Sequence, residues 1–550
     1  MKTMKKILLY CMPFCLLLAS CSDLLDEESY SETGKGNYLN NAKEAETVLQ
    51  GVYKNLANEY TYSYHLSLLF TISTDIAQCE GSSTTSFREI PTNSHNASTS
   101  QIARTWQQLY SAIYDANDFI ETVSGRMDSW GSSDRELAAI YLGEARALRA
   151  LFYFELVRWY GNVVLMTSTA DSRKKDEDYE QAAAKDVYAY IEEDLKYAAE
   201  VLPWAVDDTK RTSNAYRFSK GAALGLLAKV YCTWAGYPVK DESKWAEAEK
   251  VARRVVESGK HRLISDYETV WKNTCNGIWD AGESLIEVSF YSPTGLDSDN
   301  TAGRIGKWNG VSATTIDGER GRNAANWKVV YSFTRDWEAQ NDPRMKLSIA
   351  DYKYDHTLGS GPITYFSTIS SPNPSEDQKN KQRQLFTPAK WDTEKYVETS
   401  NYIVNNDKSN VNWYILRYSD VLLLFAEALN ESGGSIVDAV DAVNAVRRRG
   451  FGDTKHDLSY GLSREDLRTA IRKERAYELC FEGHRKQDLI RWGIYYDRVM
   501  ETAQELVNWY SNANYAVAKY IIKGRHELLP IPQRDLDMMP KCKQNSGWGQ

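Results

Sequence analysis

Residues 415–493 constrain the fold more than any other stretch. Val421, Leu424 and Ala428 recur at three- and four-residue spacings, and after Ser432-Gly433-Gly434 the spacing resumes at Val437, Val440, Val443 and Val446. Two amphipathic helices joined by a tight glycine turn satisfy this pattern, which is an antiparallel hairpin. A further helix opens at Ser463, with Asp466 three positions on in a capping-box pattern, and carries Leu467, Ile471 and Leu479 on its apolar side. Its other residues form a charged file. Glu474, Glu478, Glu482 and Arg485 fall at i, i+4 and i, i+3 steps, with Arg475, Asp488 and Arg491 on neighbouring turns. Carboxylates at helical spacing can do acid/base work. Arg and Glu interleaved in this way more often make a partly buried ion-pair network that sets how the last helices dock.

The hairpin pattern recurs along the chain. Ser133 with Glu136 predicts the cap of a long helix striped by Tyr141, Ala145, Leu148, Phe152, Leu156 and Trp159 and ended by Gly161. A second helix is expected from about Lys185 to Leu202, stopped by Pro203, and another pair over 219–235 and 244–258. Small residues Ala222, Ala223, Gly225 and Ala228 would let those helices approach closely. Units near 133–203, 218–258, 417–449 and 465–492 are similar to tetratricopeptide pairs, without the full repeat consensus. Stacked pairs bury one another's apolar faces and build a curved scaffold.

The words ILRYSDVLLLFAEALNE, AVDAVNAVRRRG and RKERAYELCFEGHRKQDLIRWG within 415–493, with ELLPIPQRDL at 527–536, closely resemble the carboxyl-terminal region of the SusD/RagB family of bacterial surface nutrient-binding lipoproteins. TWQQLYSAIYDANDFIE and EARALRALFYFELVRWYGNVVL extend the resemblance over almost the whole mature chain. It implies a mostly α, SusD-like fold, with four tetratricopeptide-type hairpins packed against a less regular, loop-rich half that has a few short strands and carries the ligand. It implies a non-catalytic protein that captures an oligosaccharide or polysaccharide and passes it to a TonB-dependent SusC-like transporter, which it covers in a two-plus-two assembly. The RagB-like branch implies peptide as the alternative cargo. A helical-repeat scaffold that binds only protein is a third reading.

At the amino terminus Lys2, Lys5 and Lys6 precede an apolar run from Ile7 to Leu18, followed by Leu18-Ala19-Ser20-Cys21. The run is shorter than the roughly 20 residues of a membrane-spanning helix and suits a signal-peptide core. Its end matches a lipoprotein cleavage box, so residues 1–20 are expected to be removed and Cys21 acylated. Two or more acyl chains anchor stably where one does not. Asp23, Asp26, Glu27 and Glu28 follow at once, and this acidic patch resembles the surface-export signal of Bacteroidetes-type lipoproteins, which places the protein on the outer membrane facing outward. Residues 21–40 read as a lipidated tether and 41–550 as a single body.

Composition narrows the alternatives. The 550 residues, 42% hydrophobic, can bury a large core, and no Pro- or Ser-rich linker interrupts them after residue 40. A formal charge of −9, which becomes −12 once the three leader lysines are removed, argues against nucleic acid as a partner. Cys79, Cys232, Cys275, Cys480 and Cys542 are far apart and odd in number, and they signal neither zinc nor a disulfide framework. HExxH, GxSxG and a phosphate loop are all absent, so no catalytic residue is assigned and no cofactor is expected.

The ligand region is expected in the loop-rich stretches near 78–100 and 285–410. Their long segments, 78–100 and 291–328, are rich in Gly, Ser, Thr and Asn, and a short strand from Leu285 to Phe290 alternates into the second. Sugar rings stack on Trp and Tyr while their hydroxyls pair with Asn, Asp, Arg and Gln. Trp308 with Asn309, Trp327 with Asn326, Phe87 with Arg88 and Asn93, and Tyr291 offer that chemistry in segments expected to be exposed. Asp297, Asp299 and Asn300 are a candidate for structural calcium, although their spacing fits no EF-hand loop.

Overall fold

The computed structural model describes residues 39–291, 302–316 and 318–549. The expected cleavage site, Cys21, most of the tether and the Asp297, Asp299, Asn300 cluster lie outside these residues. The stacked helices are α1 (Ala42–Lys54), α2 (Ser100–Arg126), α3 (Ser132–Tyr160), α4 (Ala184–Val201), α5 (Lys220–Ala235), α6 (Lys244–Val256), α7 (Tyr418–Ser432), α8 (Ile436–Phe451) and α9 (Arg464–Glu478). Each packs on its predecessor through α6, and α6 then packs on α7 although residues 257–417 intervene. Those intervening residues form the irregular half, with α10 (Arg485–Arg491) and α11 (Tyr495–Trp509) at its flank. The architecture is the mostly α fold expected, with few and short strands.

Local chemistry explains the elements. Asn41 caps α1 by accepting from the Glu44 amide at 3.0 Å, and Ser463 caps α9 by accepting from Asp466 at 3.1 Å. The α7–α8 turn passes through Gly433 at φ +80°, a left-handed position that suits glycine. One predicted cap differs. α3 starts at Ser132 with Gly131 at its N-cap and no side-chain capping bond, and Glu136 turns outward to Lys210 at 2.6 Å.

Two short antiparallel strand pairs organise the irregular half, and the second ties it to the segment before α2. Ser284–Val288 pairs with Trp413–Arg417, and Ala77–Cys79 pairs with Trp327–Val329. The first pair lies on α5 at Gly225, where an added Cβ would stand 2.9 Å from both Leu285 and Leu416. This close approach corrects the predicted alternation over Leu285–Phe290: the strand ends at Val288 and all five of its residues are buried, Ser284 and Glu287 included. Among the described residues Cys79, Cys232, Cys275, Cys480 and Cys542 are buried and unpaired.

The charged file of α9 enters a buried network. Arg417, at the end of its strand, donates to Glu478 at 2.6 Å, to Glu482 at 2.7 and 2.9 Å and to Glu283 at 3.1 Å. Lys390 reaches Glu482 at 2.6 Å, and Arg344 spans Asp342, Glu474 and Glu478 at 2.6, 2.7 and 2.9 Å. The side chains of Arg417, Lys390, Arg344, Glu478 and Glu482 are all cut off from solvent. Burial alone would raise the Glu478 carboxyl, but Arg449, Arg417 and Arg344 outweigh it and hold the group well below the usual range. A second knot joins Asp420 to Lys229 and Arg475, and Asp488 to Arg475 and Arg491. Arg485 leaves the file to pair with Asp75 at 2.7 Å in the segment between α1 and α2.

Removing one member of such a cluster leaves charges buried and unmatched. Arg417→Ala is expected to lower unfolding free energy by about 3–5 kcal/mol in guanidinium titration, whereas Lys523→Ala, which breaks an exposed pair with Asp497, should leave the midpoint unchanged.

Four buried imidazoles set the pH response. Burial pushes His65, His484 and His526 down to about 3 and His95 well below its usual value. The unfolded chain therefore binds their protons first, so the stability they contribute is complete above about pH 6.5 and is lost as pH falls toward 3. Burial also raises Glu287 to about 7, Asp392 to about 6, and Asp115, Asp194 and Asp535 above their usual values, which acts in the opposite sense. At Asp75, Asp420, Glu478 and Asp488 burial is outweighed by paired cations, which hold these carboxyls down and add to the loss at low pH. Thermal midpoints should fall from pH 6.5 to 4.5 at constant ionic strength; a flat profile would contradict this balance.

Candidate functional site

Three segments that are distant in sequence meet at one aromatic face. The turn after α1 supplies Tyr64, the segment after Ala77–Cys79 supplies Phe87 and Arg88, and residues 302–316 supply Arg304 and Trp308. The Ala77–Cys79 and Trp327–Val329 pairing draws the last two together, with the Trp327 amide donating to the Trp308 carbonyl at 3.0 Å. A tight turn precedes Trp308: Gly306 sits at φ +78° and its amide donates to Asn309 Oδ1 at 2.8 Å.

The Trp308 ring lies 5.0 Å from Tyr64 and 5.0 Å from Phe87, tilted on the first and edge-on to the second. The Arg304 guanidinium stands 4.7 Å over Tyr64 and 5.2 Å over Trp308 while pairing with Glu59 at 2.7 Å. Arg88 covers Phe87 at 4.4 Å and anchors through Nε to the Glu80 carbonyl at 2.8 Å. Trp308, Phe87 and Arg88 are half-buried, and neither Trp308 Nε1 nor the Tyr64 hydroxyl has a partner among the described residues. Rings packed tilted and edge-on with guanidinium groups alongside offer apolar surface and directed donors together, which is the combination a pyranose ring needs.

The other predicted residues separate. Trp327 is 3% exposed on its strand, where the chain crosses Cys79, so it belongs to the core and does not project from a loop. Asn309 is fully buried because its carboxamide closes the Gly306 turn. Asn93 is buried with φ +57°, its Nδ2 donating to the Val517 carbonyl at 3.0 Å. Asn326 is half-buried, and its carbonyl accepts from Glu80 at 2.7 Å. Tyr291 is 68% exposed and stands on a cavity apart from the Trp308 face. Tyr64, Arg304 and Glu59 were not predicted. The tyrosine-dense run Tyr60-Thr61-Tyr62-Ser63-Tyr64 is the signal that could have drawn attention to them.

Trp327→Ala should therefore act on stability, lowering it by about 3–5 kcal/mol in chemical unfolding. Trp308→Ala should leave the unfolding midpoint much closer to that of the parent.

Comparison with known proteins follows the same lines. Residues 297–548 match the SusD family, and residues 23–232 match a family described as starch-binding and associating with the outer membrane. A solved SusD homolog from Bacteroides thetaiotaomicron VPI-5482 is 54% identical, with 95% of this chain and all of that one covered at a TM-score of 0.90. A laminarin-binding SusD-like protein is 23% identical over 92% of this chain and all of its own, with a TM-score of 0.68, and this likeness shows the fold. The SusD-like protein P2 of Formosa agariphila is 26% identical over 89% of this chain and 91% of its own. These relatives are described as SusD-like, and one as a binding protein; none is described as an enzyme.

Proposed function

Because the chain belongs to the SusD/RagB family, we propose that it is a non-catalytic, glycan-binding lipoprotein of the outer membrane. In this reading Cys21 carries the lipid, the polar residues after it form a tether, and the folded body faces outward to take an oligosaccharide and pass it to a SusC-like transporter. The observation that carries the reading is the aromatic face of Trp308, Tyr64 and Phe87 with Arg304 and Arg88 beside it. Phe87 and Trp308, both half-buried, would give such a ligand its apolar contact, and the half-buried Arg88 and Arg304 its donors. The laminarin-binding relative supports a glycan as the class of cargo.

The face explains how binding would work without chemistry. Phe87 and Trp308 present a half-buried apolar surface backed by the buried Tyr64, and Arg304 is held over it by Glu59, so little ordering is left to be done when a sugar arrives.

The test is affinity electrophoresis of the soluble chain from residue 22 through native gels cast with different polysaccharides, followed by calorimetry on the polymer that retards it. Trp308→Ala should weaken that binding about ten-fold, or about 1.4 kcal/mol, with an unchanged thermal midpoint. Unretarded migration in every gel, together with peptide in the natively purified protein, would replace glycan by peptide as the cargo.

A further inference from the structure

The fold contains a cavity that the Trp308 face does not use. It lies between α1 and the segments 213–217 and 287–291, and its volume is about 430 Å³. Pockets for small ligands span about 300–1,000 Å³. Leu49 and Val288 give it an apolar floor.

One wall is polar and already fixed. The Arg217 guanidinium pairs with Glu46 and makes two further bonds to Glu144, at 2.8 and 2.9 Å, while Glu144 accepts the Tyr53 hydroxyl at 2.6 Å. Glu46 and Glu144 hold the Arg217 guanidinium in place, Glu144 also meeting Arg211 at 3.0 Å, and Lys54 lines the same cavity. The facing wall carries Glu287, which is 3% exposed and accepts from Ser284 Oγ at 2.7 Å and Asn412 Nδ2 at 2.8 Å. Among the described residues it has no ion-pair partner, and burial lifts its carboxyl to about 7. Near neutral pH a large share of this group is therefore protonated and can donate as well as accept.

The mouth is aromatic. Tyr216 holds φ +61°, a left-handed conformation uncommon for a residue of its size, with its hydroxyl tied to the Gly277 carbonyl at 2.5 Å and Trp279 at 6.3 Å. Such outliers cluster at ligand clamps, because the surrounding structure must hold them in place. Tyr291 stands opposite on the rim and is largely exposed. Rings at the mouth, polar and ion-paired hydrogen-bonding groups on the walls and an apolar floor match a sugar better than a purely apolar molecule.

We propose that this cavity is a second carbohydrate subsite, separate from the Trp308 face, which takes a terminal or branching sugar residue between Tyr216 and Tyr291 with its hydroxyls on Glu287 and Gln50. The inference rests on the glycan-binding reading above. Leu56 and Ala57 of the turn after α1 line the cavity while Tyr64, farther along that turn, packs on Trp308, and the two sets of lining residues do not overlap, so the two sites would engage different residues of one branched or extended chain.

The experiment is calorimetry of the chain from residue 22 against neutral hexasaccharides of gluco, xylo, manno and galacto configuration. The parent is compared with Trp308→Ala and with the double variant Tyr291→Ala/Gln50→Ala. Tyr291 and Gln50 are both exposed, so the double variant should keep the parent's thermal midpoint. The expected result is a 5- to 20-fold weaker affinity for the double variant, multiplying with the Trp308→Ala effect when the three changes are combined. Affinity within two-fold of the parent, while Trp308→Ala still weakens binding, would overturn the subsite and leave the glycan reading intact. Failure of the parent to bind any hexasaccharide or polysaccharide would overturn both.

Discussion

Arg417 joins the two halves of this molecule. It ends the strand that pairs with Ser284–Val288, it immediately precedes α7, and its guanidinium bonds to Glu478 and Glu482 at the end of α9 as well as to Glu283 on the irregular side. With Lys390 and Arg344 on the same carboxylates, every charge in the cluster meets opposite charge at hydrogen-bond distance. Taking these ions out of water is costly, and only near-complete pairing offsets that cost. The cluster therefore specifies one docking of helices on loops: a shift of a single turn would leave several charges buried without partners.

Everything that carries ligand chemistry hangs from that docking. The helical stack continues from α6 to α7 across an insertion of about a third of the chain, so the ends of the insertion are fixed by the stack and its middle folds against it. Gly225 allows the paired strands to lie on α5, and the Ala77–Cys79 and Trp327–Val329 pair ties the segment before α2 to the insertion. Tyr64, Phe87 and Trp308 meet because three connections of different origin end at that place. The cavity at Tyr291 arises in the same way, where the end of a strand passes the first helix.

The helices were legible in the sequence because an apolar stripe at helical spacing has few other uses, and their ends were legible where Gly or Ser left a mark. Ser463 capped its helix as expected, while Ser133 did not, since Gly131 begins that helix a residue earlier and Glu136 finds Lys210 instead. The charged file of α9 was legible as a network, but Arg344, Lys390 and Asp342 were not. They come from segments with no periodicity that could have pointed to them.

The candidate site was only partly legible. Phe87, Arg88 and Trp308 came together, and Tyr291 reached the surface. Trp327, Asn309 and Asn93 turned inward, because a segment rich in Asn and Gly can close turns and pair as a short strand as well as face solvent. By itself the sequence determined the stacked helices, the ion network and the family, since these rest on spacing and on contiguous words. Which aromatic rings share a surface was decided by the tertiary structure, because Tyr64, Phe87 and Trp308 are neighbours only through strand pairing and turn closure between segments far apart in the chain.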